Sequence, residues 1–238
     1  MRYNKSVLIV GECMELMVNG IQVHYEKEGQ GRPLLLVHGN GEDHTIFKEA
    51  IAFLKDKYTC YALDSRGHGK SQRVKELHYE DMANDVVDFI KQLKLKDVVY
   101  YGFSDGGIAG LLAAMQCPEI KTLIVSGANL TPKGILFSTR FWMRGLYFVQ
   151  KEEKMRLMLE EPNITKEMLS KIQARTLITV GSKDIIDPRE TLLMKEAIPN
   201  ADVMLLKGED HESYIVHQER IGHIIDDFVK QNTTNEKK

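Results

Sequence analysis

The chain has 238 residues, 43% hydrophobic and 28% charged, with a net charge of −2 at pH 7. That length fits one large α/β domain or two small ones, and the balanced charge, without a long block of one sign, gives no footing for nucleic acid or an anionic membrane. Three cysteines (Cys13, Cys60, Cys117) are an odd number without metal-ligand spacing, which argues against a disulfide framework and for a reducing compartment.

The apolar run Val7 to Val10 is too short for a signal-peptide core or a membrane span, so the expectation is a cytoplasmic protein. Ser6 to Val10 is a candidate strand without an assigned place. Met14 to Val18 and Ile21 to Tyr25 are joined at Asn19-Gly20, a strong hairpin signal. Pro33 to Val37 is continuously apolar, as in a strand buried on both faces. It ends in His38-Gly39-Asn40-Gly41, where glycines let backbone approach a ligand. Thr45 to Lys55 has helical spacing, Thr59 to Leu63 reads as a strand, and Asp64 to Ser71 as a fixed turn holding Arg66 in an ion pair, with a catalytic Asp64 or His68 the less favoured alternative. Tyr79 to Leu93 is a predicted helix with Met82, Val86, Ile90 and Leu93 on one face.

Val98 to Gly107 organises the rest. A β-branched and aromatic run (Val98, Val99, Tyr100, Tyr101) enters Gly102-Phe103-Ser104-Asp105-Gly106-Gly107, and a helical pattern follows. Gly-x-Ser-x-Gly between a strand and a helix is the nucleophile elbow, a turn tight enough to push the serine hydroxyl into the open. The backbone N–H groups of Asn40 and Asp105 then become candidates for an oxyanion hole. Lys121 to Val125 is the next predicted strand.

Residues 130–172 break the alternation. They contain no clear strand but carry Phe137, Phe141, Trp142, Tyr147 and Phe148, and they read as two or three helices inserted over the strand ends. Residues 1–129 and 173–238 are the expected core and 130–172 a helical lid, with Phe141 and Trp142 candidate substrate-binding residues. Thr176 to Val180 and Ala201 to Leu206 are the last predicted strands, Arg189 to Ala197 a helix, and Tyr214 to Lys230 a closing helix before a frayed polar tail, Gln231 to Lys238. Strands alternating with helices imply a mostly parallel sheet with ligands at the strands' carboxyl ends.

HGNG, DSRGHGKS, GFSDGG, GSKDIIDP and GEDHES each follow a predicted strand. In that order they resemble the α/β-hydrolase superfamily over nearly the whole chain, among its small single-lid carboxylesterases, biphenyl-hydrolase-like amino-acid ester hydrolases and carbon–carbon hydrolases. Arg175 departs from the proline common before that strand. The resemblance implies a Ser104, Asp184, His211 triad in family order, with Ser104 the nucleophile, His211 the base and Asp184 its orienter. The residues alone leave Asp187 open as the acid; the family position favours Asp184. His217 and His223 fall in the closing helix pattern.

The implied activity is hydrolysis of a small carboxylic ester through an acyl-serine, with no metal or organic cofactor and a small molecule as partner. The Asp105 carboxylate, beside the nucleophile, is a candidate subsite for a cationic group such as the amine of an amino-acid ester. Carbon–carbon hydrolysis on the same triad, or a slow-turnover ligand-binding role, are the alternatives.

Overall fold

In the computed structural model, which describes residues 12–235, the Asn19-Gly20 turn joins β1 (Glu12–Val18) to β2 (Ile21–Gly29) as an antiparallel pair. Asn19 and Gly20 take φ of 43° and 79°, the two consecutive left-handed residues that the tightest hairpin loop requires. The candidate strand Ser6 to Val10 lies outside the described residues.

β3 (Arg32–Val37), β4 (Tyr58–Leu63), β5 (Val98–Phe103), β6 (Ile120–Ser126), β7 (Arg175–Gly181) and β8 (Ala201–Leu206) complete one sheet in the order β1-β2-β4-β3-β5-β6-β7-β8. β2 meets β4 antiparallel, and β3 to β8 run parallel to one another. Leu34, Leu35 and Leu36 are fully buried, because helices cover both faces of the central strands. Burying each such side chain is worth about 1.5–3 kcal/mol.

Those helices are α1 (Lys48–Leu54), α2 (Tyr79–Gln92) and α3 (Asp105–Ala114), then α4 (Phe137–Gln150), α5 (Glu153–Glu160) and α6 (Lys166–Leu169) between β6 and β7, and finally α7 (Pro188–Ala197) and α8 (Arg220–Asn235). Ile51 and Leu54 of α1 share one core with Ile221 and Ile225 of α8. Val86, Ile108 and Met194, from α2, α3 and α7, share the core of the other face. The parallel strands therefore present their carboxyl ends, and the loops that follow, along one edge of the sheet.

The segment between β6 and β7 is fastened over that edge. Ile135 bridges Ile186, and Met143 of α4 packs with both. Arg156 of α5 donates to the Leu77 carbonyl (2.8 Å), and Glu161 accepts from His78 Nδ1 and the Tyr79 N–H.

Three boundaries differ from the sequence reading. The helix expected over Thr45 to Lys55 opens as a 3-10 turn, His44–Phe47, before α1. The closing helix starts at Arg220 rather than Tyr214, because His217 at φ 53° interrupts it while Tyr214 and Ile215 are buried in turns. It then continues into the polar tail as far as Asn235. Arg175 opens β7 with its guanidinium 3.8 Å from the Phe228 ring centroid. The three cysteines are free, and no helix among the described residues is long and apolar enough to cross a membrane.

Candidate active site

Ser104 stands between β5 and α3 at φ 51° and ψ −114°. A non-glycine residue held in so sparsely populated a conformation costs about 1–3 kcal/mol, so its surroundings must over-determine it. They do. The Ser104 N–H donates to the Ser126 carbonyl (2.8 Å) and the Gly106 N–H to the His38 carbonyl (3.1 Å). A Cβ on Gly102 would stand 2.2 Å from the Gly106 carbonyl oxygen, and one on Gly106 2.2 Å from the Val37 oxygen. Gly102 is thus required for β5 and α3 to approach this closely, and Gly106 for α3 to lie against the end of β3.

Two further loops meet over the elbow. The one after β7 is pinned to the one after β8 by the Lys183 N–H donating to the Glu209 carbonyl (2.9 Å). This brings Asp184 and His211 together. Nδ1 of His211 lies 2.6 Å from Asp184 Oδ1, and Nε2 lies 3.2 Å from Ser104 Oγ. With the ring proton on Nδ1 donated to Asp184, the Nε2 lone pair faces the serine hydroxyl. Asp184 is buried; its Oδ1 also accepts from the Ile186 N–H (3.0 Å), and its Oδ2 has no partner among the described residues. The Phe103 ring lies 5.0 Å from the imidazole, centroid to centroid.

Asp105 is the first residue of α3, and opening helix amides have no intrahelical acceptor. Asn40 follows Gly39, where a Cβ would lie 3.1 Å from Ser104 Cβ, so this loop is pressed against Ser104. The two are also joined by side chains: Asn40 Nδ2 donates to Asp105 Oδ2 (2.8 Å), and Tyr79 OH donates to Oδ1 (2.7 Å). Burial raises the Asp105 carboxyl above its ordinary range, against the lowering effect of these two bonds.

A cavity of about 250 Å³ opens beside Ser104 and His211. Its apolar wall includes Ile135, Met143, Met155 and Met158, and its polar wall carries the carboxyls of Asp105, Glu42 and Glu212 with no lysine or arginine. Glu42 Oε2 accepts from the Gly39 N–H (2.9 Å), and burial pushes this carboxyl up to about 7. Trp142 lines the cavity. Phe141 does not, contrary to expectation: its exposed ring stacks on Phe137 at 6.1 Å. The cavity takes Thr139, Trp142 and Met143 from α4, and at about 100° per residue Phe141 falls outside the arc that these three share.

The other candidates serve the scaffold. His38 Nδ1 donates to the Gly39 carbonyl (2.7 Å) and Nε2 accepts from the Ser65 N–H (3.0 Å). Arg66 forks onto Asp85 at 2.6 and 2.7 Å, the expected ion pair. His68 is buried near His38, away from the cavity. Asp64 gathers His24 and His44, and three ligand-type atoms there lie within 4.8 Å of one another. Its carboxylate oxygens already accept from the His44 N–H and Nδ1, the Lys70 N–H and His24 Nδ1, while the buried His24 Nε2 has no partner among the described residues. Asp187 caps α7 and pairs with Arg189 (2.5 Å). His217 and His223 are exposed, and His217 lies before α8 rather than within it. Tyr79 and the Asn40 side chain were not singled out from sequence, since nothing local marks a residue that acts across 26 or 65 positions; Glu42, bonded only three residues back to Gly39, was missed as well.

The family described as the alpha/beta hydrolase fold matches residues 32–163. The chain belongs to that family. As an α/β hydrolase it is similar to human "Serine hydrolase BPHL", 29% identical over 91% of this chain and 86% of that protein. It is 27% identical to "Pimeloyl-[acyl-carrier protein] methyl ester esterase" of Vibrio campbellii, over 77% of this chain and 68% of that one. In three dimensions it overlays an esterase from Exiguobacterium antarcticum with a TM-score of 0.81, at 21% identity, over 92% of this chain and 100% of that one.

Proposed function

We propose that this α/β hydrolase cleaves small carboxylic esters, with amino-acid esters its preferred class, through an acyl-serine intermediate. The observation that carries the reading is the His211 imidazole, 2.6 Å from Asp184 on one side and 3.2 Å from Ser104 Oγ on the other, beside an open cavity. Ser104 Oγ attacks the ester carbonyl while its proton passes to His211 Nε2. Asp184 holds the tautomer and stabilises the imidazolium. The Asn40 and Asp105 N–H groups receive the oxyanion; losing one such donor typically costs ~10²–10³ in rate. Collapse expels the alcohol, which takes the proton from Nε2. Water, deprotonated by His211, then attacks the acyl carbonyl and frees the serine. No step calls for a metal or an organic cofactor. Residues 130–172 act as a lid, whose α4 and α5 roof the cavity and exclude bulk water.

Two observations support the substrate class. A cavity of about 250 Å³ suits a small ester. Its lining carries three carboxyls and no lysine or arginine, and Asp105 is held by a phenol and an amide, with Lys154 acting on it from outside the lining. A substrate ammonium would place a positive charge directly beside these carboxyls. The relatives named serine hydrolase and methyl ester esterase are consistent with ester chemistry.

The test compares p-nitrophenyl acetate with an alanine benzyl ester, using wild type, Ser104→Ala and Asp105→Asn, with a fluorophosphonate probe alongside. Ser104→Ala is expected to lose turnover and labelling. Asp105→Asn is expected to lower kcat/KM for the amino ester at least about tenfold more than for the acetate, since the lost partner is a buried charge. An unchanged ratio removes the amino-acid refinement and leaves the esterase reading standing. A wild type that neither labels nor turns over removes both.

A further inference from the structure

Helix α4 carries its apolar residues on the arc that faces solvent. Met143 is its one buried residue among those described. At 3.6 residues per turn the opposite arc holds Phe137, Phe141, Phe148 and Val149, which are 72, 70, 77 and 77% exposed. Trp142, 64% exposed, continues this arc to the mouth of the cavity. Gly145 lies at its centre, with nothing within 4 Å of where its Cβ would be, so the arc is open. Contiguous exposed apolar surface of this kind marks an interaction site.

The α4 segment itself carries charge of one sign, with the exposed Glu152 directly after it. Residues 131–151 contain Lys133, Arg140, Arg144 and Lys151 and no aspartate or glutamate, in a chain whose net charge is −2. Lys151 Nζ lies 5.1 Å from the Phe148 ring centroid and 5.2 Å from that of Tyr147, within the aromatic face itself. Arg144 is exposed at the edge of the arc, whereas Arg140 is half-buried and donates to the Pro132 and Ile135 carbonyls. Of the acids that follow the helix, Glu153 is engaged by Arg156 (2.7 Å). The whole-chain charge therefore hides a local basic, aromatic segment.

We propose that the exposed arc of α4 is an interfacial face that docks the protein on an anionic lipid surface. A helix of this kind lies in the membrane plane, with aromatic residues at the headgroup–acyl boundary and arginine and lysine among the headgroups. A second copy of the chain fits less well, because a two-fold contact through this face would set cations against cations. α4 is also far too short to span a bilayer, so the contact is peripheral. Docking would bring the cavity mouth, where Trp142 sits, to the lipid interface.

Trp142 is the only tryptophan in the chain and so reports on its own docking. Vesicles of equal parts phosphatidylglycerol and phosphatidylcholine, and of phosphatidylcholine alone, are added to the purified protein. The expected result is co-sedimentation and a blue shift of tryptophan emission with the anionic vesicles, weakened by salt. Arg144→Glu lowers the partition about 25-fold, two charge units at roughly fivefold each. Phe137→Ser combined with Phe148→Ser lowers it at least about tenfold, with thermal melts showing that both variants fold. Binding to neither vesicle overturns the proposal, as does binding that both variants retain. A concentration-dependent dimer that the double phenylalanine variant abolishes, without vesicle binding, also overturns it and assigns the face to self-association.

Discussion

Gly127 follows β6 at φ 61°, and a Cβ there would stand 2.7 Å from Cε1 and 2.9 Å from Nδ1 of His211. Gly127→Ala therefore displaces the proposed base, His211, while leaving every proposed reacting group chemically intact. Restoring ordinary contact moves the ring by roughly 0.7 Å, close to the ~1 Å misplacement that costs about 10²-fold in rate. The left-handed backbone adds about 1–2 kcal/mol of strain to an alanine, or ~2–8 °C in melting temperature for a chain of this size. The expected outcome for p-nitrophenyl acetate is a fall in kcat of about 10²-fold with KM little changed, since binding does not require the imidazole in register. Fluorophosphonate labelling should slow in parallel. Activity within threefold of wild type, in a variant whose melting temperature falls as expected, would show that His211 does not work from the position against Gly127. The argument from its 3.2 Å approach to Ser104 would then fail.

Asp184→Asn should lose about 10³–10⁴ in kcat through the wrong histidine tautomer. Asp187→Asn, which touches only the start of α7 and Arg189, should stay within about twofold, and the reverse order would exchange the two roles. Glu42→Gln tests the buried carboxyl. Burial raises it from 4.5 to about 7, so its contribution to stability is intact below pH ~4.5 and is lost as pH rises through 7. The melting temperature of Glu42→Gln should match wild type at pH 4.5 and exceed it at pH 8 by a few degrees, and an equal gap at both pH values would contradict this. Arg66→Met leaves Asp85 buried without its cation and should cost about 3–5 kcal/mol in urea denaturation. A loss below 1 kcal/mol would mean that Asp85 finds another partner.

The alternation of strands and helices was legible because the central strands bury both faces and so carry unbroken apolar runs, as Leu34 to Val37 does. The elbow was legible because its glycines are dictated locally. What escaped was set by distance along the chain. Tyr79 reaches Asp105 only because α2 and α3 pack side by side, and Gly127 faces His211 only because β6 and β8 end on the same edge of the sheet. The start of the closing helix was misplaced because Tyr214 and Ile215 imitate a helical apolar pair while being buried in turns. Phe141 and Trp142 part company because the arc of α4 that meets the cavity runs through Thr139, Trp142 and Met143 and leaves Phe141 with Phe137 on the exposed side.

Met143, Met155 and Met158 form much of the cavity's apolar wall. Thioether side chains are unbranched and polarizable, and they refill space around differently shaped guests at small cost. Such a wall reads approximate volume rather than outline. Under the proposed function, discrimination then falls to the acidic side, and the expected substrate range is wide in the shape of the ester and narrow in its charge. The same wall is vulnerable to peroxide, since each sulfoxide would place a dipole where the guest's hydrocarbon lies.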